Sequence, residues 1–321
     1  MVLTEEAMII QTGQRTDIPA FYSEWFLNRI REGFVLVRNP YNEHQVTRYR
    51  LDPKVVDVIG FCSKNPAPLL PHMEELGAFP QIWHVTITPY GRDIEPHVPP
   101  KEKVCDDLCR ISERLGRRSV HWRYDPILLT EEYTVSRHVR EFEKMAARLK
   151  GYTGTAVISF VDLFEKVRRN FPEARKVMKE DRLVLGREMA AIAADCGMTL
   201  RPCGEGEELA VFGADCRGCI TTALYEQAVI EQTGNRLRFP KSLPRAREDC
   251  ACYLSCDIGA YDSCGHLCRY CYANSDPDRV RANRRHHDPA SPFLIGGPME
   301  GDVIHEAAQE SWVDRQIRLE L

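Results

Sequence analysis

The sequence predicts an α/β fold, a complete or partial (β/α) barrel of the TIM type with a cysteine-rich C-terminal unit. Three observations lead to this prediction: short β-rich runs alternate with helical segments, polar clusters follow those runs, and the composition changes beyond Gly204. Strands that alternate with helices of about 10–15 residues are typical of βαβ units in a parallel sheet. We therefore expect barrel units over 1–204 and a cysteine-rich segment over 205–321 that closes the barrel.

The individual elements follow from apolar periodicity and from turn residues. Strands are predicted at 8–12, 34–38, 55–62, 82–88, 119–124, 156–161 and 198–203. Helical patterns lie between them, at 19–32, 67–76, 102–115, 134–149 and 182–196. Segment 34–51 reads as an inserted hairpin that turns at Asn39-Pro40-Tyr41-Asn42, and 253–261 predicts one more strand.

Composition sets limits on the class of protein. With 321 residues, of which 43% are apolar and 28% charged, the chain can bury a large core. A net charge of -4 with mixed signs gives no indication of a polyanion-binding protein. No apolar stretch approaches about 18 residues and no signal peptide is recognised, so we expect a cytoplasmic protein that does not span a membrane. Thirteen cysteines in such a chain favour metal or redox chemistry over disulfides.

The most informative motif is Cys264-Gly-His-Leu-Cys268-Arg-Tyr-Cys271, a CxxxCxxC triplet followed by Tyr272. Structural zinc and electron-carrying iron–sulfur clusters usually have four protein ligands, whereas three thiolates leave one iron of a 4Fe–4S cluster open. The motif resembles that of radical S-adenosylmethionine enzymes, in which S-adenosylmethionine binds the open iron and is cleaved to a 5'-deoxyadenosyl radical. The alternative is a zinc site completed by His266, Cys256 or the His286-His287 pair.

Polar residues follow the predicted strands directly. In a parallel barrel the carboxyl ends of the strands meet at one face, where active sites are built. Helix capping explains some of these residues but not the arginines and lysine among them. We expect the clusters to line one polar, catalytic pocket that consists of Arg15, Asp17, Lys64, Asn65, Arg123, Asp125 and Glu205.

The other cysteines of interest lie in Gly-, Asp- and Arg-rich segments before the triplet. Four of them predict an auxiliary site for a second iron–sulfur cluster or for zinc, namely Cys203, Cys216, Cys250 and Cys252. The alternative is a separate dithiol formed by Cys216 and Cys219. Gly296 and Gly297, with Glu300, follow the triplet at about the right distance for a cofactor-binding motif. Pro298 takes the place of the usual acid, so an ordinary turn is equally compatible.

The chain as a whole resembles a bacterial and archaeal family that is described only as a domain of unknown function. Its mark is a C-terminal cysteine cluster similar to the N-terminal cluster of radical S-adenosylmethionine enzymes. The resemblance is carried by Arg15 to Ala20, Val37 to Pro40, Lys64 to Pro66, Thr88 to Gly91, Arg123 to Pro126, Asp257 to Tyr261, the triplet and Tyr272 to Asn274. The unit with the cysteine loop comes last in the chain, and this order predicts a barrel that is circularly permuted relative to those enzymes, in which the cluster-bearing unit closes the ring beside the first strand.

These observations predict a radical S-adenosylmethionine enzyme that acts on an unknown polar substrate. It would bind a 4Fe–4S cluster and S-adenosylmethionine and would receive electrons from a donor such as flavodoxin or ferredoxin. Two alternatives stay open: a non-radical iron–sulfur protein for electron transfer or sensing, and a zinc-stabilised hydrolase or nucleic-acid-processing protein. A related barrel in a DNA repair enzyme makes nucleic acid conceivable as a partner, but it supplies no residues in this chain.

Overall fold

The computed structural model describes residues 8–241, 243 and 252–314. In chain order, the first half contains β1 (Ile9–Gln11), α1 (Ile18–Phe21), α2 (Ser23–Glu32), β2 (Phe34–Asn39), β3 (Asn42–Arg50), β4 (Val58–Ser63), β5 (Gln81–Thr86), α3 (Lys101–Leu115) and β6 (Val120–Ile127). The second half contains α4 (Val135–Leu149), β7 (Thr155–Phe160), α5 (Glu165–Asn170), α6 (Lys179–Asp195), β8 (Thr199–Pro202), α7 (Thr222–Thr233), β9 (Cys256–Asp257), α8 (Pro277–Arg285) and β10 (Val303–Glu306). The predicted α/β class is confirmed.

Seven parallel strands form the main sheet, in the order β8-β7-β6-β5-β4-β1-β9. The last strand of this sheet in the sequence, β9, pairs with the first through Ile10–Cys256 and Gln11–Asp257. The expectation that the cysteine-bearing segment lies beside the first strand is therefore confirmed. Within the described residues the sheet does not close into a barrel, because β8 and β9 each pair on one side only.

The two faces of the sheet pack against different helices. On one face Trp83 stacks on Phe61 with ring centroids 4.1 Å apart, and Trp122 stacks on Phe142 of α4 at 4.6 Å. The opposite face, here called the α7 face, packs α7 against buried Ile9, Val58, Ile82 and Val157. Since both faces are covered, the strands are almost continuously apolar, as expected of a parallel sheet.

A second sheet has three strands in the order β10-β3-β2. The predicted hairpin over 34–51 is confirmed, with an irregular register between Arg38 and Asn39 at its turn. β10 joins β3 in parallel and was not predicted, because Val303 and Ile304 are exposed and show no alternation of burial. The boundary predicted at residue 204 stays a prediction, although β9 and β10 both join sheets begun by earlier strands.

The helical predictions are largely confirmed, with two differences. The helix predicted at 67–76 is a single 3₁₀ turn over Leu70–His72, because Pro66, Pro68 and Pro71 lack the N–H groups a helix needs. The helix predicted at 19–32 is divided at Tyr22, whose φ of -136° is not helical. Among the described residues, no helix is both long and apolar enough to cross a membrane.

Candidate functional site

The cysteine triplet lies on the loop that follows β9. Because β9 runs parallel to β1, this loop emerges at the carboxyl ends of the strands. The Tyr22 hydroxyl donates to the Ser263 carbonyl at 2.7 Å, and the Asn274 amide donates to the Cys264 carbonyl at 2.9 Å. The Cys271 N–H donates to the Cys268 carbonyl at 3.0 Å. The loop is therefore held at both ends and within its second half.

Each thiol of the triplet is close enough to another to influence its ionisation. Burial is the main reason why the pKa values of Cys264, Cys268 and Cys271 are raised, and nearby thiols of the triplet add to the rise for Cys264 and Cys268. Backbone N–H groups oppose it: those of His266 and Asp17 face Cys264, and those of Ala273 and Asn274 face Cys271. N–H groups directed at sulfur are what a thiolate-bound cluster requires.

Three of the four residues proposed from the sequence as a fourth ligand have other partners. His266 Nε2 is 2.9 Å from Asp17 Oδ2, and its Nδ1 is 3.3 Å from the His97 carbonyl oxygen. His287 Nδ1 is 2.7 Å from the Leu294 carbonyl oxygen, and Cys256 lies in β9 beside Tyr49. His286 is exposed at the end of α8. His266, His287 and Cys256 therefore have other partners, and zinc completed by His286 stays an alternative.

Lys64 lies beside the triplet in a buried ion pair. Its Nζ is 2.8 Å from Glu95 Oε1 and 5.7 Å from the centre of the Tyr270 ring. Glu95 also accepts hydrogen bonds from Thr88 Oγ1, at 2.7 Å, and from the Tyr270 hydroxyl. Burial alone would lower the pKa of Lys64, but the Glu95 carboxylate and the Cys268 thiol outweigh it and the pKa is raised. Lys64 therefore stays protonated.

Asp17 fixes the start of the triplet loop. Its carboxylate accepts hydrogen bonds from Ser63 Oγ at 2.7 Å, the Lys64 N–H at 2.8 Å and the Ala20 N–H at 3.0 Å, and it contacts His266. Asp17 thus joins β4, α1 and the triplet loop. Asn65, the next predicted site residue, uses its N–H to donate to Ser63 Oγ at 2.9 Å.

Arg15 and Asp257 form a second buried pair, between the loop after β1 and the end of β9. Arg15 Nε is 3.8 Å from Asp257 Oδ1, and Arg15 Nη1 donates to the Gly259 carbonyl at 3.3 Å. Burial raises the pKa of Asp257, and Arg15 and neighbouring backbone N–H groups limit the rise. This pair therefore orders the backbone that leads into the triplet.

Arg123 and Asp125 form the third pair, at the end of β6. Arg123 Nε donates to Asp125 Oδ2 at 2.9 Å, and the Ser159 hydroxyl also donates to Asp125. Burial would raise the pKa of Asp125, but the charge of Arg123, the hydrogen bonds from Ser159 and Arg123 and, to a smaller extent, the charge of Lys64 together outweigh it, and the pKa is lowered. The influence of Lys64 on Asp125 links this pair to the triplet side of the site.

Glu205 follows β8 and accepts the Phe160 N–H at 2.8 Å. Arg182 Nη1 lies 3.4 Å from its other carboxylate oxygen. Burial raises the pKa of Glu205 to about 7, and the negative charges of Asp162 and Asp125 add to the rise. A carboxyl group that titrates near neutrality can donate or accept a proton at ordinary pH.

Of the four cysteines predicted as an auxiliary site, two lie near the same third thiol, one lies elsewhere and one is outside the described residues. Cys203 and Cys252 are both near Cys219, whose Sγ lies 3.0 Å from Cys203 Sγ and 3.6 Å from Cys252 Sγ. Cys216 is elsewhere, with its Sγ 3.8 Å from the Ala214 carbonyl oxygen. Its place in the predicted set is taken by Cys219, because the Cys-Arg-Gly-Cys turn directs its two sulfurs to different clusters of buried residues. Cys250 lies outside the described residues.

Gly296 and Gly297 lie in a turn near α8 and the three-stranded sheet. The Gly296 N–H donates to the His286 carbonyl at 2.9 Å, and Arg38 Nη2 donates to the Gly297 carbonyl at 3.0 Å. These contacts are those of a structural turn, and binding of a cofactor by the two glycines stays a prediction.

Several residues of the site were missed from the sequence. Glu95 and Tyr270 both contact Lys64, and Asp257 pairs with Arg15. His266, which the sequence named only as an alternative zinc ligand, contacts Asp17. Glu95 is three residues beyond Arg92 in a polar segment after a predicted strand, which is a usable signal. In residues 8–241, 243 and 252–314, no three His, Cys, Asp or Glu side chains already stand where they could hold a metal ion.

A model of one protein family matches residues 9–273, and its description is a domain of unknown function (DUF1848). No curated protein and no solved structure matches the chain. The matched range begins at β1 and ends just after the triplet, so it includes both the main sheet and the site.

Proposed function

The chain belongs to the DUF1848 family, and from that premise we propose that it is an iron–sulfur enzyme of the radical S-adenosylmethionine type. One observation carries the proposal: three cysteines at CxxxCxxC spacing share a loop at the carboxyl ends of parallel strands, beside buried charged residues. Two of the side chains suggested as a fourth protein ligand, those of His266 and His287, have other partners. A cluster held by the three thiolates alone would keep the open coordination position that such chemistry needs.

The donor set fits a 4Fe–4S cluster held by Cys264, Cys268 and Cys271. The backbone N–H groups directed at Cys264 and Cys271 would offset the negative charge of the cluster. Binding requires a local adjustment of the loop, because no metal-ready arrangement exists among the described residues. When bound, the cluster and S-adenosylmethionine would supply a 5'-deoxyadenosyl radical.

The other residues would bind and orient. Lys64 and Arg123 present two buried cations that can hold carboxylate groups of the cofactor or of a polar substrate. Asp17, through His266, would hold the triplet loop in position. Tyr270, which is buried against Glu95, would exclude water from the triplet. Glu205 would hold or release a proton near neutral pH.

We further propose that the seven-stranded sheet is a partial (β/α) barrel, permuted relative to other radical enzymes. The placement of β9 beside β1 supports this proposal, because the cluster-bearing strand then occupies the position before the first strand. The partners would be a polar substrate and an electron donor of the flavodoxin or ferredoxin class, and the setting would be the cytoplasm.

The test is anaerobic reconstitution with iron and sulfide, followed by dithionite and S-adenosylmethionine, with 5'-deoxyadenosine as the measured product. Wild type is expected to bind iron and to form the product, whereas Cys268→Ala should form none above background. Cys109→Ala is the matched control, because Cys109 is a half-buried thiol on α3, outside the site. It should behave as wild type does.

Iron content is measured on the same samples. A bound cluster without product, across reductants and candidate substrates, would favour electron transfer or sensing. Stoichiometric zinc without iron at the triplet would contradict the proposal.

A further inference from the structure

We propose that Cys203, Cys219 and Cys252, here called the thiol cluster, supply three of the four ligands of a second metal site that binds a thiolate-preferring ion such as zinc. The three cysteines come from the chain after β8, the turn before α7 and the segment before β9. This set differs from the one expected from the sequence, since Cys219 is included and Cys216 is not. The site does not depend on the triplet.

The sulfur positions support this proposal. Around a zinc ion with metal–sulfur distances of about 2.3 Å, tetrahedral sulfurs are about 3.8 Å apart. The separation between Cys219 and Cys252 is 3.6 Å, close to that value, and between Cys219 and Cys203 it is 3.0 Å. Loading the site therefore requires the second pair to open by somewhat less than 1 Å. This accounts for the lack of a metal-ready arrangement among the described residues.

Hydrogen-bond donors around the sulfurs are a second, independent observation. The Cys219 N–H and the Ile220 N–H both point at Cys252 Sγ, at 3.2 and 3.4 Å. Two backbone donors on one sulfur are suited to a thiolate, because a neutral thiol is a weak acceptor. Cys219 and Cys252 are 3% and 4% exposed, so these donors act where water cannot replace them.

Charge provides a third observation. Arg123 Nη1 is 3.5 Å from Cys219 Sγ, and Arg123 Nη2 is 3.7 Å from Cys203 Sγ. Three thiolates around a divalent ion carry one net negative charge, and the guanidinium of Arg123 is directed at two of them. Arg123 also binds Asp125, so the thiol cluster and the polar strand ends would share one cation.

The location gives the site a structural role. β8 and β9 are the two edges of the seven-stranded sheet, and they do not pair within the described part of the chain. A metal ion bound by Cys203 and Cys252 would connect the segments next to both edges. The metal–thiolate bonds would therefore link the two edges of the sheet, which do not pair with each other through hydrogen bonds within the described residues.

The test uses the full chain with Cys264, Cys268 and Cys271 all changed to Ala, so that the triplet binds nothing. This variant is expected to retain about one metal ion per chain by elemental analysis. Adding Cys219→Ala should remove that ion, whereas adding Cys216→Ala should not. Cobalt titration gives a second measurement, because thiolate-to-cobalt charge-transfer absorption should follow the same pattern. Circular dichroism shows which variants are folded.

A measurement on the wild-type protein covers the case in which these variants do not fold. Alkylation of Cys203, Cys219 and Cys252, followed by mass spectrometry, should accelerate at least tenfold after chelation, while alkylation of Cys216 should not change. Equal metal loss in the Cys216 and Cys219 variants would overturn the inference. So would a folded, metal-free triplet variant, or alkylation that chelation does not affect.

Discussion

Glu205 shows how burial can shift the pKa of a carboxyl group at this site into the neutral range. Its carboxylate receives one backbone N–H and a moderately distant guanidinium, which only partly replace the water it has lost. The pKa is therefore raised to about 7. The folded protein binds a proton at Glu205 in the range between about pH 4.3, where glutamate titrates in an unfolded chain, and about pH 7.

We predict that Glu205→Gln changes the pH dependence of stability. Since the folded state holds the extra proton, the contribution of Glu205 to the free energy of unfolding is fully present below about pH 4 and falls as pH rises through about 7. Relative to the variant, wild type should lose about 2 kcal/mol between pH 5 and pH 8, after allowance for partial exposure. Denaturant unfolding at both pH values measures this.

Exposed Glu207 supplies the control, because Glu207→Gln removes a charge from the same segment without changing a buried group. Its difference from wild type should be the same at both pH values. Parallel pH profiles for wild type and Glu205→Gln would show that Glu205 titrates normally.

Of the three buried ion pairs at the site, the sequence predicted one member of two pairs and both members of the third. Lys64 and Arg15 were predicted because polar residues at strand ends have no role in a core. Their partners Glu95 and Asp257 lie 31 and 242 positions away, and nothing in the local pattern marks them as partners. Arg123 and Asp125 were both predicted because they lie two residues apart.

At the scale of the element, the triplet loop depends on the absence of a side chain at Gly265. A Cβ at this position would lie 2.3 Å from Arg284 Nη1 and 2.8 Å from Phe21 Cε1. Arg284 itself stacks over Phe21, with 4.6 Å between the guanidinium carbon and the ring centre. The residue after the first cysteine is therefore confined between α1 and α8.

We predict that Gly265→Ala destabilises the protein by about 1–3 kcal/mol, because either the loop or the Phe21 ring must move. Gly297→Ala is the control, since a Cβ there meets nothing within 4 Å, and it should stay within about 0.5 kcal/mol of wild type. Denaturant unfolding compares the two variants. Equal stability would mean that Arg284 and Phe21 adapt without cost.

Elements with clear signals were predicted well. α4 begins after Thr134, whose hydroxyl accepts the Arg137 N–H at 3.3 Å, and it matches its predicted range. α7 was missed because it packs on the sheet with apolar and polar residues all around it, so its sequence lacks a clear helical period. The predicted strand at 253–261 is reduced to Cys256–Asp257, because β1 offers only a short edge to pair with.

At the scale of the whole molecule, Tyr225 connects α7 to the sheet. Its hydroxyl is 2.5 Å from Gln11 Nε2, which donates to it, and it donates to the Tyr253 carbonyl at 3.2 Å. Tyr225 is fully buried. One hydroxyl group therefore joins β1, α7 and the segment before β9.

We predict that Tyr225→Phe lowers the free energy of unfolding by about 1–3 kcal/mol, because buried polar groups on Gln11 and Tyr253 lose a partner. Tyr41→Phe is the comparison, since Tyr41 is 74% exposed, and it should change stability by less than about 0.5 kcal/mol. Urea unfolding with matched slopes measures both. Equal values would mean that water or a neighbouring group replaces the hydroxyl.

The α/β architecture was predictable because strands and helices alternate along the sequence. Whether the sheet closes into a barrel was not predictable. Nothing in a sequence pattern states whether two edge strands are near enough to pair, since that depends on the accumulated twist and curvature of all seven strands. The order of the strands was more accessible, because a strand directly before the triplet could be expected beside the first strand.

Because β9 lies late in the chain, the edge of β1 is paired only late in synthesis. The other six strands of the main sheet all precede β9 in the chain, and the triplet follows it. Because a chain is made from its N-terminus, β1 has no partner on its outer side until residue 256 has been made. An unpaired strand edge can associate with other chains, so in this interval the nascent protein presents the edge of β1. Pairing of β9 covers that edge with a strand of only two residues and brings the three cysteines to the sheet in the same step.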